Sequence, residues 1–184
     1  MPARQNRRDG HNKQGSAPVR VLFVCMGNIC RSPTAEAVFR SLAQRLSPDL
    51  AFEADSAGTS NYHLGRAPDE RAQLVARAHG IDMSGLRARQ LVAEDFRRFD
   101  WILVMDLGNR EIARALAPPE LRHRVRLLLD YAPQLPLREI PDPYNGELSD
   151  FEQVFNLTEL AARGLLQALA TQTRVDECRE TDPR

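Results

Sequence analysis

The sequence predicts an α/β fold, a three-layer sandwich with a parallel sheet between two layers of helix, and three observations carry that prediction. Continuous apolar runs of strand length recur along the chain, stretches of helical periodicity separate them, and the first run passes through a short loop directly into a helix. Parallel strands cannot be joined by tight hairpins, so each intervening helix serves as a crossover and the sheet is covered on both faces.

Val19 to Val24 is a β-branched and apolar run that ends at Cys25 and reads as a buried strand. From Pro33 to Leu46, the residues Ala35, Val38, Phe39, Leu42 and Leu46 recur at helical spacing, and Pro33 suits a first helical turn. Ala51 to Ser56 is a second strand closed by Gly58. Asp69 to His79 is a helix with Leu74, Val75 and Ala78 inward and Gly80 as its stop. Trp101 to Met105 and Val125 to Leu129 are two further strands, separated by a helix from Asn109 to Leu116 that Pro118 and Pro119 terminate. The last helix, Asp150 to Ala170, carries Phe151, Val154, Phe155, Ala161, Leu165 and Leu169 on one side.

A chain of 184 residues with 42% hydrophobic content fits one domain. That domain is expected over residues 19–172, after a disordered basic arm at 1–18 and before a flexible tail at 173–184. Lysine plus arginine equals aspartate plus glutamate at 25 each, so no overall field recruits nucleic acid or an acidic membrane surface. No apolar run reaches membrane-spanning length, and no membrane insertion is expected. The three cysteines, Cys25, Cys30 and Cys178, form no C-x-x-C pair and have no second ligand cluster, which fits a reducing cytoplasm better than a disulfide framework or a zinc site.

The chemistry concentrates in Cys25-Met26-Gly27-Asn28-Ile29-Cys30-Arg31-Ser32, a loop between strand and helix. A loop entering a helix N-terminus turns backbone N–H groups inward, and the helix dipole reinforces this anion nest. Gly27 and Asn28 are residue types that tolerate the left-handed angles such a curl requires. The same donors favour a thiolate at Cys25 over a thiol. Arg31 can offer two parallel N–H bonds to phosphate oxygens, a fork that lysine lacks. Ser32 can donate to the sulfur. Sheets of this kind bind ligands beyond the carboxyl ends of their strands, where Cys25 stands. A thiolate attacking a phosphate ester also needs an acid to protonate the departing oxygen. Asp142, between Pro141 and Pro143, can present a carboxyl from an extended loop, and neighbouring negative charge favours its protonated form. Asp106 and Asp130 also follow predicted strands, so the residues alone leave three carboxylates open.

With these residues in view, the chain resembles the low-molecular-weight protein-tyrosine-phosphatase family, whose signature Val-Cys-x-Gly-Asn-Ile-Cys-Arg-Ser-Pro stands here as Val24 to Pro33. The resemblance continues through Asp55-Ser56-Ala57-Gly58, Gly65-Arg66-Ala67-Pro68-Asp69, His79-Gly80-Ile81, Ala88-Arg89-Gln90, Asp95-Phe96, Met105-Asp106 and Asp142-Pro143-Tyr144. It implies a four-stranded parallel sheet in the flavodoxin-like order 2-1-3-4, with no metal and no cofactor. It implies hydrolysis of protein phosphotyrosine through a cysteinyl-phosphate intermediate, with Cys25 as nucleophile, Arg31 as phosphate clamp and Asp142 as general acid and base. Met26, Gly27, Asn28, Ile29, Cys30 and Ser32 would complete the phosphate loop.

Tyr62 and Tyr144 are the aromatics best placed to wall a slot for a flat ring, and the family has aromatic walls at both positions. The tyrosine that often follows Tyr144 in animal members is Asn145 here. Ser56 and His79 match residues that, with Asn28, hydrogen-bond behind the loop. Cys30 either traps oxidised Cys25 as a disulfide or serves only as packing. The implied partner is a tyrosine-phosphorylated protein, a tyrosine kinase among the candidates, with phosphate and other oxyanions as inhibitors. Two activities share the fold. A thioredoxin-coupled arsenate reductase needs further cysteines, which residues 81–98 lack, and a protein-arginine phosphatase typically has threonine where Ile29 stands. A silent phosphoprotein-binding module would have lost Cys25 or Asp142.

Overall fold

The computed structural model describes residues 17–180, with side chains through residue 172. Its elements run β1 (Val19–Cys25), α1 (Arg31–Leu46), β2 (Phe52–Gly58), α2 (Glu70–Ala78), α3 (Asp95–Arg98), β3 (Trp101–Val104), α4 (Leu107–Leu116), β4 (Val125–Leu127) and α5 (Leu148–Glu180). Single 3-10 turns at Pro119–Arg124 and Leu128–Tyr131 flank β4. The four strands are parallel in the order β2-β1-β3-β4, as the family resemblance implied. β1 pairs with β2 from Val19↔Phe52 to Cys25↔Gly58, and with β3 from Val21↔Trp101 to Val24↔Val104.

Alternation along β1 divides the core between the two faces. Val21, Phe23 and Cys25 join Phe39 and Leu42 of α1 and Phe151, Phe155 and Leu165 of α5. Leu22 and Val24 join Phe96, Phe99, Ile102 and Ala113 on the opposite face, beneath α3 and α4. β1 therefore lies between two apolar layers, and the functional residues can only gather at its end. The chain leaves β1 through α1 toward β2 on one side and later crosses to β3 on the other. That reversal opens a crevice at the carboxyl end of β1, where Cys25 is the last strand residue.

Several boundaries differ from the sequence reading. β2 runs on to Gly58 because its pairing with β1 continues that far. β4 stops at Leu127, where the chain tightens into a 3-10 turn. α3, four residues long, is too short to show periodicity. α5 starts at Leu148 and its backbone stays helical through Glu180, into the segment expected as a tail. The basic arm expected at residues 1–18 falls mostly outside the described residues. Leu74 and Ala78 of α2 face outward, contrary to the expected face. The buried stripe is Ala72, Val75 and Ala76, small residues that let α2 lie close to α5, and Leu74 is left 50% exposed. Gly80 does stop α2. At φ 76° it closes a Schellman motif in which Gly80 N–H bonds the Arg77 carbonyl and Ile81 N–H bonds that of Ala76.

Phe39 packs between Phe23, at 5.6 Å and 54°, and Phe52, at 5.5 Å and nearly perpendicular, so one ring of α1 ties the two neighbouring strands together. Replacing Phe39 by Ala is expected to destabilise the fold by about 3–5 kcal/mol in urea unfolding. Leu74→Ala is expected to change stability by no more than about 0.5 kcal/mol. Equal effects of the two would contradict this assignment of the core.

Candidate active site

The loop after β1 bends through Asn28, whose φ of 55° makes it the only non-glycine residue with positive φ among the described residues. The bend brings Asn28 N–H to within 3.2 Å of the Cys25 sulfur, and Ser32 Oγ lies 3.0 Å from the same atom. Asn28 is held by its own amide. Its Nδ2 donates to Ser32 Oγ and Ser56 Oγ, both at 2.9 Å, and its Oδ1 accepts the Arg89 N–H at 2.9 Å. Gly27, expected to share the left-handed curl, has no positive φ. It is small for another reason: a Cβ there would meet the His63 ring at 2.8 Å. Behind the loop, Gly58 lets β2 abut it, since a Cβ at Gly58 would sit 2.6 Å from the Met26 carbonyl oxygen. Thr59 and Ser60 donate their N–H groups to the Cys25 and Met26 carbonyls.

The helix that follows favours an anion. α1 has no side-chain cap at Cys30 and no acidic residue in its first turn, so its N-terminal N–H groups and dipole are not neutralised from within. Arg31, 2% exposed, opens this helix and turns its guanidinium to Asp106 Oδ2 at 2.6 Å, the Ile140 carbonyl at 3.1 Å and Asp142 Oδ2 at 2.8 Å. Burial works against its charge, but Cys25, Asp142 and Asp106 outweigh burial and hold it protonated above the ordinary arginine range. Cys30 has the opposite surroundings. Burial first, then the charges of Asp69, Cys25 and Asp142, push its thiol well above the usual range.

Above the sulfur opens a cleft of about 510 Å³ lined by Cys25, Ile29, Arg31, Tyr62, His63, Asp142 and Tyr144 among others. Of the three carboxylates the sequence left open, Asp142 alone lines it. Asp106 caps α4 through Asn109 N–H and orients Arg31, and Asp130 lies in the 3-10 turn after β4. Tyr62 and Tyr144 stand at the mouth, 79% and 47% exposed. His63, which the sequence reading passed over, tilts against Tyr144 with ring centroids 5.9 Å apart and its buried Nδ1 without a protein partner. No spacing rule marks it, because its position depends on how the loop after β2 folds back over Gly27.

Residues 20–175 match the family model described as low molecular weight phosphotyrosine protein phosphatase. The chain belongs to that family. It is 38% identical over 157 residues to the low molecular weight protein-tyrosine-phosphatase YfkJ of Bacillus subtilis, covering 85% of this chain and 99% of the relative. The crystal structure of YfkJ superposes with a TM-score of 0.80, covering 85% of this chain and 98% of that one. The human low molecular weight phosphotyrosine protein phosphatase is 46% identical over 149 residues, covering 80% of this chain and 93% of the relative. Vibrio vulnificus Wzb, solved in complex with benzylphosphonate, is 30% identical with a TM-score of 0.72 and covers 83% of this chain and 99% of its own.

In this family member the support behind the loop differs from the sequence reading at one residue. Ser56 is where it was expected, accepting from Asn28, but His79 hydrogen-bonds neither of them. It caps the end of α2, bonds Glu152 Oε1 at 2.7 Å and stacks on Phe155 at 4.0 Å. The next member of the network is Glu36 of α1. Its Oε2 accepts from Ser56 Oγ at 2.8 Å and its Oε1 from Arg40 at 2.9 Å, while Arg40 also donates to the Ala54 carbonyl. Glu36 is 3% exposed, and burial raises its pKa above 4.5 against the opposing bonds from Ser56 and Arg40. A carboxyl with a raised folded-state pKa binds protons more tightly when folded, so its contribution to stability falls as pH rises from 4.5 through the folded value. Glu36→Gln removes this titration. The stability of the parent relative to the variant, measured by urea unfolding, is therefore expected to decline as pH rises from 4.5 toward neutrality. A difference that grows with pH would show that the ionised carboxylate is the favoured form.

Proposed function

We propose that this chain hydrolyses protein phosphotyrosine through a cysteinyl-phosphate intermediate, with Cys25 as nucleophile, Arg31 as phosphate clamp and Asp142 as general acid and base. One observation carries the reading: a sulfur that receives a backbone N–H and faces a hydroxyl lies at the foot of a cleft beside a buried guanidinium, and that guanidinium also touches a carboxylate on the cleft wall.

In the first step the Cys25 thiolate attacks phosphorus, the P–O bond to the aryl group breaks, and the departing oxygen takes the proton of Asp142. Backbone N–H groups of residues 26–31 and the Arg31 fork hold the equatorial oxygens. Binding of the dianion moves the Arg31 Nη2 donor from Asp142 to a phosphate oxygen, which frees the carboxyl for the ester oxygen. In the second step Asp142 takes a proton from water as its oxygen attacks phosphorus, and the S–P bond breaks. The leaving thiolate is met by Ser32 and by Asn28 N–H.

Depth and lining favour tyrosine. The sulfur is buried while Tyr62 and Tyr144 stand at the mouth, so a phosphate must hang from an arm as long as an aryl ring to reach both. Ile29 adds an apolar wall to the cleft, which suits an aryl ring. The benzylphosphonate held by Wzb is an aryl compound of this kind. A tyrosine-phosphorylated protein, with kinases among the candidates, is the matching partner. Cys25 and Cys30 are free thiols, and we place the enzyme in the cytoplasm, where such thiols stay reduced. Among the described residues no helix is long and apolar enough to cross a membrane.

Cys25→Ser is expected to abolish turnover and leave inorganic phosphate binding in place, and hydrolysis at the parent rate would overturn the nucleophile assignment. Asp142→Asn is expected to lower kcat/KM, which reports the first step, by roughly 10²- to 10⁴-fold for phosphotyrosine and far less for dinitrophenyl phosphate, because the latter's leaving group needs no proton. A panel of phosphotyrosine, phosphoserine and phosphoarginine peptides decides the substrate class, with preference for phosphotyrosine expected.

A further inference from the structure

The loop that presents Asp142 is fastened at both ends by arginines. At its start, Ile140 N–H bonds the Met105 carbonyl, and the Ile140 carbonyl accepts from Arg31 Nη1. At its far end, Arg71 Nη2 donates to the Tyr144 carbonyl at 2.9 Å and Arg71 Nη1 to the Gly146 carbonyl at 2.8 Å. Between these points Tyr144 N–H reaches back to Asp142 Oδ1 at 3.2 Å, so the carboxyl is indexed to the segment that Arg71 holds.

Arg71 is itself tightly located. Asp69, the N-cap of α2, accepts the Arg71 N–H, Nε and Nη2 at 2.9 to 3.0 Å, and the guanidinium lies 4.3 Å over the Phe151 ring of α5. Hydrogen bonding from Arg71 holds the Asp69 carboxyl below the usual carboxylate range, and Asp69 in turn keeps the guanidinium charged. The same cap residue gives its N–H to the Ile29 carbonyl of the phosphate loop at 2.8 Å. A continuous chain of bonds thus runs from the phosphate loop through Asp69 and Arg71 to the backbone of the acid loop.

We propose that Arg71, braced by Asp69 and seated on Phe151, is a positioning residue that sets the Asp142 loop at a fixed distance from the phosphate loop. The proposal rests on the catalytic reading above. Arg71 does not touch the reacting atoms. Its effect reaches them through Tyr144 and the aim of the Asp142 carboxyl. The planar fork spans two carbonyls and a carboxylate at once, which a lysine at this position cannot do. Because the side chain is partly exposed and lies over the edge of the core rather than within it, Arg71→Ala is expected to stay folded.

The test compares leaving groups. Arg71→Ala is expected to slow phosphotyrosine hydrolysis by roughly ten- to hundred-fold, the effect of misplacing a catalytic group by about an ångström. The kcat/KM for dinitrophenyl phosphate, which reports the first step alone, and inhibition by inorganic phosphate are expected to change by less than about two-fold, since neither uses the acid. Arg71→Lys should resemble Arg71→Ala, and adding Arg71→Ala to Asp142→Asn should cost less than about two-fold more than Asp142→Asn alone, because both act on one step. Equal slowing for all leaving groups, weakened phosphate inhibition, full recovery by lysine or additive losses would each overturn the proposal. If Asp142→Asn shows the leaving-group dependence and Arg71→Ala does not, only the role of Arg71 falls. If Asp142→Asn shows none, the catalytic reading falls and takes this inference with it.

Discussion

A loop that binds a dianion at the end of a buried strand must turn its donors toward one point, and the turn here depends on a single residue in the left-handed region. Holding Asn28 at φ 55° costs about 1–2 kcal/mol for an L-residue. The side chain that makes the angle tolerable also supplies the compensation. It bonds Ser32, Ser56 and the backbone of Arg89, and net contributions near 1 kcal/mol for each such bond exceed the strain. From Asn28 the bracing spreads into the sheet. Ser56 passes it to Glu36 and Arg40 in α1, and Arg89 passes it to Asp55 on β2 and Asp95 at the start of α3. The loop geometry is thus built into the sheet and its flanking helices.

The buried arginine imposes the second constraint. A guanidinium that is 2% exposed needs counter-charge, and two carboxylates supply it with different consequences. Asp106 is committed, since one oxygen caps α4 and the other holds Arg31 Nη1, whose second bond goes to Ile140. Asp142 holds Nη2 with one oxygen, while its other oxygen accepts a 3.2 Å bond from Tyr144 N–H within its own half-exposed loop. The edge of the guanidinium facing Asp106 is therefore anchored, and in the proposed mechanism the edge facing Asp142 exchanges a carboxylate for a phosphate. The division of labour follows from what else each carboxylate is tied to, a helix N-terminus for Asp106 and its own exposed loop for Asp142.

The features legible in the sequence were those encoded over short distances. The run from Val19 to Pro33 determines strand, loop and helix almost by itself, and the Asp142 segment is marked by its two flanking prolines. What escaped was set by contacts between segments remote in sequence. Glu36 looks like an ordinary polar position on α1 until Ser56, twenty residues later, is brought beside it. His79 lies next to a helix stop in a segment the family resemblance singled out, yet its ring finds Phe155 and Glu152 on α5, which its own segment does not specify. Leu74 was read as inward because nine residues of helix contain two plausible apolar stripes, and close packing with α5 selected the one made of alanines and valine. Other quoted segments gained a physical meaning only in three dimensions: Asp55, Arg89 and Asp95 are one ion-pair cluster, and Asp69 is the cap that meets the phosphate loop.

The two cysteines of the loop show how the fold assigns chemistry between identical side chains. Both are buried, and burial pushes the Cys30 thiol upward. Around Cys25 the chain arranges positive and donating groups: the Asn28 N–H, the Ser32 hydroxyl and the nearby Arg31. Around Cys30 it arranges negative ones, since Asp69, Asp142 and the Cys25 sulfur all oppose ionisation and push that thiol upward. In the proposed mechanism a thiolate at Cys30 would repel the substrate and compete for the donors around Cys25. By placing Cys30 near the Asp69 cap, the fold keeps Cys30 a thiol, and it does so with the carboxylate that also holds Arg71. The neutral state of Cys30 and the fastening of the loop that carries Asp142 are thereby tied to the same residue.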